Sequence, residues 1–181
     1  GDFSEAGLVH RINSDLANDL GNLSQRVLSM IFKNCGASLP SPGEFSEDDN
    51  ILLDKLGGLL ERVRTAMEQQ LCHRALEDIW VLVRAANSYV DHQAPWGLKK
   101  SDPERMSTVL YVLAESLRQI GILIQPFMPN SSDKLLEQLG VPDDERKFSH
   151  LSKNSCLVPG GAITQPEGIF PRIPDDTHFE K

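Results

Sequence analysis

Val9, Ile12, Leu16, Leu20, Leu23, Val27, Met30 and Ile31 recur every three or four residues along one uninterrupted stretch. That spacing keeps one face of a helix apolar turn after turn, whereas a half-buried strand alternates every second residue. The stripe predicts one long helix from Ser4 to Cys35, with Ser4 as its cap and one face buried. Gly36 stands where helices commonly end in a left-handed residue. A face this long has to be covered, and helices are the natural cover.

The rest of the chain continues in the same style. Leu39-Pro40-Ser41-Pro42-Gly43 reads as a linker, and Ser46-Glu47-Asp48-Asp49 as the acidic start of a second helix. Leu52, Leu53, Leu56, Leu60, Val63 and Met67 form its buried face, and Gly57-Gly58 marks either close packing or a weak point. A third helix is expected from Cys72 to His92, with Leu76, Ile79, Val83, Ala86 and Val90 inward, and the pattern alone leaves open whether a turn near Gln70 separates it from the second. Ala94 to Lys100 breaks the period and is expected as a loop. Asp102-Pro103 then opens a fourth helix carrying Met106, Val109, Leu110, Leu113, Leu117 and Ile120. That helix should stop before Pro126. Ser132 is the expected cap of a short fifth helix ending near Gly140. Pro142 to Arg146 suits one brief helical turn. From Leu157 onward the expectation is an extended tail with at most a short hairpin.

Only 6% of residues are aromatic, so aliphatic side chains carry the apolar mass, which suits helices packed on helices. Three separated cysteines, Cys35, Cys72 and Cys156, give neither a metal-binding pair nor a closed disulfide framework. The five histidines show no metal-ligand spacing. Neither a GxGxxG nor a P-loop is present to cradle phosphate. A Glu-x-x-His pair of the di-iron bundle type is missing as well. Catalysis within this chain is not expected, and no apolar run reaches membrane-spanning length. A net charge of −8 argues against general RNA coating, yet leaves room for a reader of a few unpaired bases.

Three polar features remain. Asn18, Asn22 and Arg26 lie four apart and share one face of the first helix. Amides and a guanidinium together can read base edges and hold a phosphate, but spacing alone favours an ordinary solvated face. Trp96 follows Pro95 in a loop beside Lys99 and Lys100. It is either a stacking platform for a base or a plug at one end of the bundle, and the plug is the commoner fate of a tryptophan. Asn87 precedes Asp91 by one turn and could orient the Trp96 loop through its backbone, or simply be a polar residue near a helix end. Trp80, among apolar neighbours, reads as core.

Taken together, these residues resemble a known family. The run from Asn13 to Arg26, with Asn18, Asn22 and Arg26, resembles the first helix after the catalytic domain of methionyl-tRNA synthetases. Asn87-Ser88-Tyr89, Ala94-Pro95-Trp96 and Lys99 or Lys100 resemble the second anticodon-facing segment. Gln125-Pro126-Phe127-Met128-Pro129 and Phe170-Pro171-Arg172-Ile173 are similar to the later bundle and to the end of bacterial and mitochondrial-type members. The resemblance implies an all-α fold: the five-helix anticodon-binding bundle of class I aminoacyl-tRNA synthetases over residues 1–140. An extension over residues 141–181 would lie on the bundle or on the catalytic domain. It also implies that Asn22 and Arg26 face the CAU anticodon of methionine tRNA, with Asn18 as helper. Trp96 would meet the wobble cytosine, Pro95 would shape its loop, and Asn87, Asp91 and Lys100 are further candidates.

The family's His-Ile-Gly-His and Lys-Met-Ser-Lys-Ser signatures are not in this sequence. ATP and methionine would therefore bind a catalytic domain outside this chain, and the chain alone should be inactive and hold no cofactor or metal. The expected partners are the methionine tRNA anticodon loop and that catalytic domain, in a monomer, without a membrane, in the bacterial cytoplasm or a mitochondrial matrix. Two alternatives stay open: a helical protein-interaction module, and the anticodon domain of another class I synthetase.

Overall fold

In the computed structural model, residues 2–152 and 155–170 are described, apart from the side chains of residues 2–5 and 56. Helix α1 spans Asp2–Asn34, α2 Glu47–Glu68, α3 Cys72–Gln93, α4 Leu98–Ser101, α5 Pro103–Leu123 and α6 Pro129–Gln138. Five of these have ten residues or more, α4 is a single turn, and no strand forms among the described residues. Ser4 lies within α1 rather than ahead of it. Gly36 is left-handed as expected, with φ of 62°. Its successor Ala37 is too, at 55°.

Ser46 caps α2 through a reciprocal box with Asp49: the Asp49 N–H donates to Ser46 Oγ, and the Ser46 N–H donates to Asp49 Oδ2. Leu52 and Val63 are buried, joined by Leu59, while Leu56 lies outside the described side chains. Gly57 and Gly58 face open space, so this pair reflects no close packing. Gln70, with φ of 58°, makes the turn between α2 and α3. Asp102 and Pro103 start α5, the Asp102 carboxylate accepting from the Arg105 N–H at 3.1 Å.

The principal departure from the pattern is α5. The pattern marks six apolar positions on it, but every residue from Thr108 to Leu123 is buried. This helix runs between α1, α2, α3 and α6, while α3 also packs against α1 and α2. A helix surrounded on all sides has no solvent face to show as a stripe. Ser132 does not cap α6, whose first turn begins at Pro129. Its hydroxyl donates instead to the Gly121 carbonyl at 2.7 Å, tying α6 to α5. A Cβ at Gly121 would stand 2.8 Å from Leu136 Cδ2, so the missing side chain permits that approach.

Two acidic and basic side chains inside α5 need partners, because an unpaired buried charge is costly. They find them in each other and in the tail. Glu115 and Arg118 are 2% and 1% exposed, with Arg118 Nη2 donating to Glu115 Oε1 at 2.6 Å. Glu115 also accepts from Gln119 Nε2 and from the Leu157 N–H, and Arg118 Nη1 donates to the His150 carbonyl. The Tyr111 hydroxyl donates to the Leu157 carbonyl, and burial with the Glu115 charge pushes its pKa up to about 12.

A single 3-10 turn forms at Asp143–Glu145. Between Leu157 and Phe170 the described part of the tail pairs with the α1–α2 linker, and no hairpin forms among these described residues. Ser38 and Ala162 form an isolated antiparallel bridge, with the Leu39 N–H donating to the Gly161 carbonyl and the Ile163 N–H to the Ala37 carbonyl. Leu157, Ile163 and Ile169 join the same apolar core as the helices. Pro171, Arg172 and Ile173 lie outside the described residues.

Candidate nucleic-acid interface

The segment between α3 and α5 is more ordered than a loop. Ala94 ends α3 in the left-handed region, with φ of 46°, its N–H donating to the Val90 carbonyl. Pro95–Gly97 then makes a 3-10 turn that runs into α4. The tight turn sends neighbouring residues in different directions: Pro95 is buried and Trp96 is 55% exposed. Trp96 is therefore not a plug.

Both ends of this segment are held by one buried charge cluster. Arg105 of α5 donates to both Asp49 oxygens, at 2.7 and 2.9 Å, and to Gln93 Oε1 at 2.8 Å. The Tyr89 hydroxyl donates to Asp49 Oδ1 at 2.6 Å. Burial raises the Asp49 pKa, but hydrogen bonds from Arg105, Tyr89 and the Ser46 N–H, with the Arg105 charge, outweigh it and hold the carboxyl at about 2. The Tyr89 hydroxyl is pushed well up by burial and by that carboxylate. Because the folded pKa of Asp49 lies below its ordinary 3.8, the stabilisation is full above 3.8 and fades as pH falls toward about 2. The urea-midpoint difference between the natural chain and Asp49→Asn should accordingly be constant near neutrality and shrink across that acid window. A gap that does not narrow there would contradict the role given to this carboxylate.

Trp96 lies beside Arg26 of α1, whose guanidinium carbon is 5.7 Å from the indole ring centroid. Arg26 Nη2 donates to Asp91 Oδ1 of α3 at 3.0 Å. Between α1 and α3 runs a groove of about 360 Å³ lined by Asp19, Asn22, Arg26, Arg84, Asn87, Ser88 and Asp91. Asn22, Arg26, Asn87, Asp91 and Trp96 are thus brought to one surface. Asn18 is exposed one turn before Asn22 and Lys100 is exposed in α4, but neither lines the groove. Asn87 does not bond the Trp96 segment: its Nδ2 donates to the Asp19 carbonyl at 3.4 Å, linking α3 to α1.

Trp80 packs against the core as expected, but it also has polar partners. It is only partly buried, and its Nε1–H donates to Asp19 Oδ2 at 2.6 Å while the Arg84 guanidinium lies 4.6 Å above its ring. Asp19 and Arg84 were missed from sequence, although Arg84, Asn87, Ser88 and Asp91 follow the spacing of one α3 face. Extending the Asn87–Asp91 face back one turn would have found Arg84. The groove offers guanidinium and amide donors, carboxylate acceptors and an exposed indole, a set suited to unpaired bases and their phosphates. Among the described residues no cluster of three or more His, Cys, Asp or Glu is placed to hold a metal, and no helix is long and apolar enough to cross a membrane.

Fold and groove together define an all-α bundle with a polar surface groove, and comparison with known proteins gives the particular kind. A family model described as the anticodon binding domain of methionyl tRNA ligase matches residues 39–180. Methionine–tRNA ligase of Brucella suis is 51% identical over 172 residues, covering 95% of this chain and 33% of that protein. The Mycobacterium bovis methionine–tRNA ligase is 47% identical over 176 residues, covering 95% and 34%. The crystal structure of the apo form of Mycobacterium tuberculosis methionyl-tRNA synthetase superposes with a TM-score of 0.84 at 47% identity, over 91% of this chain and 34% of that one. The chain spans about a third of the length of these relatives. It belongs to the family of methionyl-tRNA ligase anticodon-binding domains.

Proposed function

We propose that the α1–α3 groove and Trp96 read the CAU anticodon of methionine tRNA. The observation that carries this reading is the indole of Trp96, 55% exposed and adjacent to Arg26 at the end of a groove that also holds Asn22. Trp96 provides a stacking face for the unstacked wobble cytosine, held outward by buried Pro95. Asn22 and Arg26 bond the exposed base edges, with Asn18 assisting from the adjoining turn. Asn87 fixes α3 to α1, Asp91 orients Arg26, and Lys100 draws in phosphate from α4. A buried polar group left unpaired by a wrong base costs about 1–3 kcal/mol, which supplies discrimination.

On this reading residues 1–140 carry recognition and the segment after them braces the bundle. Methionine activation with ATP, and transfer to tRNA, take place on a catalytic domain in the remaining two-thirds of the parent ligase; this chain alone binds RNA without catalysing the reaction. It works as a monomer. The bacterial origin of the relatives named above favours the cytoplasm over a mitochondrial matrix.

A competition among CAU, GAU and CAC stem-loops tests the proposal. Preference for CAU is expected. Preference for another triplet would assign the chain to a different specificity, and equal binding or none would favour a protein-interaction module. The polar lining of the groove already fits RNA better than an apolar peptide face.

A further inference from the structure

The groove has a second cation laid on a second indole, and the reading above gives it no task. Arg84 of α3 holds its guanidinium 4.6 Å from the Trp80 ring, and Trp80 is itself pinned by the 2.6 Å bond from its Nε1–H to Asp19. The Asp19 carboxylate is therefore turned to the indole. Among the described residues no ion pair includes Arg84, whereas Arg26 on the same groove is paired with Asp91. Arg84 is exposed and lines the groove beside Asn22 and Arg26. A guanidinium over an aromatic ring still has N–H groups to offer, and a fork of donors without a carboxylate suits a phosphodiester.

We infer that Arg84, held on Trp80, binds a backbone phosphate of the anticodon loop next to the bases read at Arg26 and Trp96. This inference rests on the anticodon reading and deepens it. The contact positions the RNA strand along α3 and carries no sequence information of its own. It also places a positive charge at the one surface where a chain of net charge −8 has to meet RNA.

The test is binding of a CAU stem-loop to the natural chain, Arg84→Gln and Arg84→Lys across a salt series, with a GAU stem-loop in parallel. Each phosphate contact on a single strand contributes roughly 0.7 to the slope of log affinity against log salt. Arg84→Gln should lower the slope by roughly 0.7 and weaken CAU binding roughly two- to fivefold at low salt. Arg84→Lys should keep the slope, and the CAU preference should be unchanged in both variants. An unchanged slope in Arg84→Gln, in a chain that still prefers CAU, overturns the phosphate contact alone. Loss of CAU preference in Arg84→Gln overturns it in favour of a base contact. A natural chain without CAU preference refutes the anticodon reading instead, whatever Arg84 does.

Discussion

Replacing Trp96 with alanine should weaken CAU stem-loop binding and reduce discrimination at the first anticodon base. Base–indole stacking is worth about 1–3 kcal/mol per base, or roughly 5- to 150-fold in affinity. The effect falls toward the lower part of that range where cytosine has to displace Arg26 from the indole face it now covers. Folding should be little affected, because the ring is largely in solvent and its position is set by buried Pro95 and the Arg105 cluster behind it. Titration of CAU and GAU stem-loops against both proteins, with thermal melts alongside, separates lost recognition from lost structure. Equal affinity and equal preference in the variant would remove Trp96 from the site.

The largest effect on stability is expected from Glu115→Ala. That carboxylate is the acceptor for Arg118, for Gln119 and for the backbone N–H of Leu157. Removing it strands a guanidinium that is 1% exposed with, among the described residues, the His150 carbonyl as its one remaining partner. Breaking a buried pair in this way costs about 3–5 kcal/mol. Glu115→Gln should be milder, since an amide oxygen can still accept from Leu157. Urea unfolding of the three proteins measures the difference; a loss below about 1 kcal/mol for the alanine variant, typical of exposed pairs, would show that the interior relaxes around Arg118.

Much of the architecture was legible because it depends on local chemistry. The long stripe of α1, the acidic start of α2 at Ser46, the Asp102-Pro103 start and the halt before Pro126 each rest on a few neighbouring residues. What escaped depends on residues far apart in the chain. Nothing near Ser132 indicates that its hydroxyl reaches Gly121, and nothing near Trp80 points to Asp19 on another helix. The full enclosure of α5 was not legible, because an apolar period cannot tell one covered face from several. In the site, Asn22 and Arg26 were visible as one helix face, and Trp96 as an unusual residue after proline. Arg84 carried one local mark, its place one turn before Asn87 on the same α3 face, but its setting on the Trp80 ring is a matter of side-chain geometry that spacing does not give.

The pairing of the tail with the α1–α2 linker separates two lengths that are easily confused. Every groove residue, and Trp96 with them, occurs before position 100, yet the apolar interior extends as far as Ile163 and Ile169, the latter 2% exposed. Phe170 even rests against Gly21, its Cδ2 3.3 Å from where a Cβ would sit, on the helix that carries Asn22. A minimal reader trimmed to its contact residues would thus discard the backing that keeps those residues in register. Shortening this chain is limited by what it must bury, well before it is limited by what it must touch.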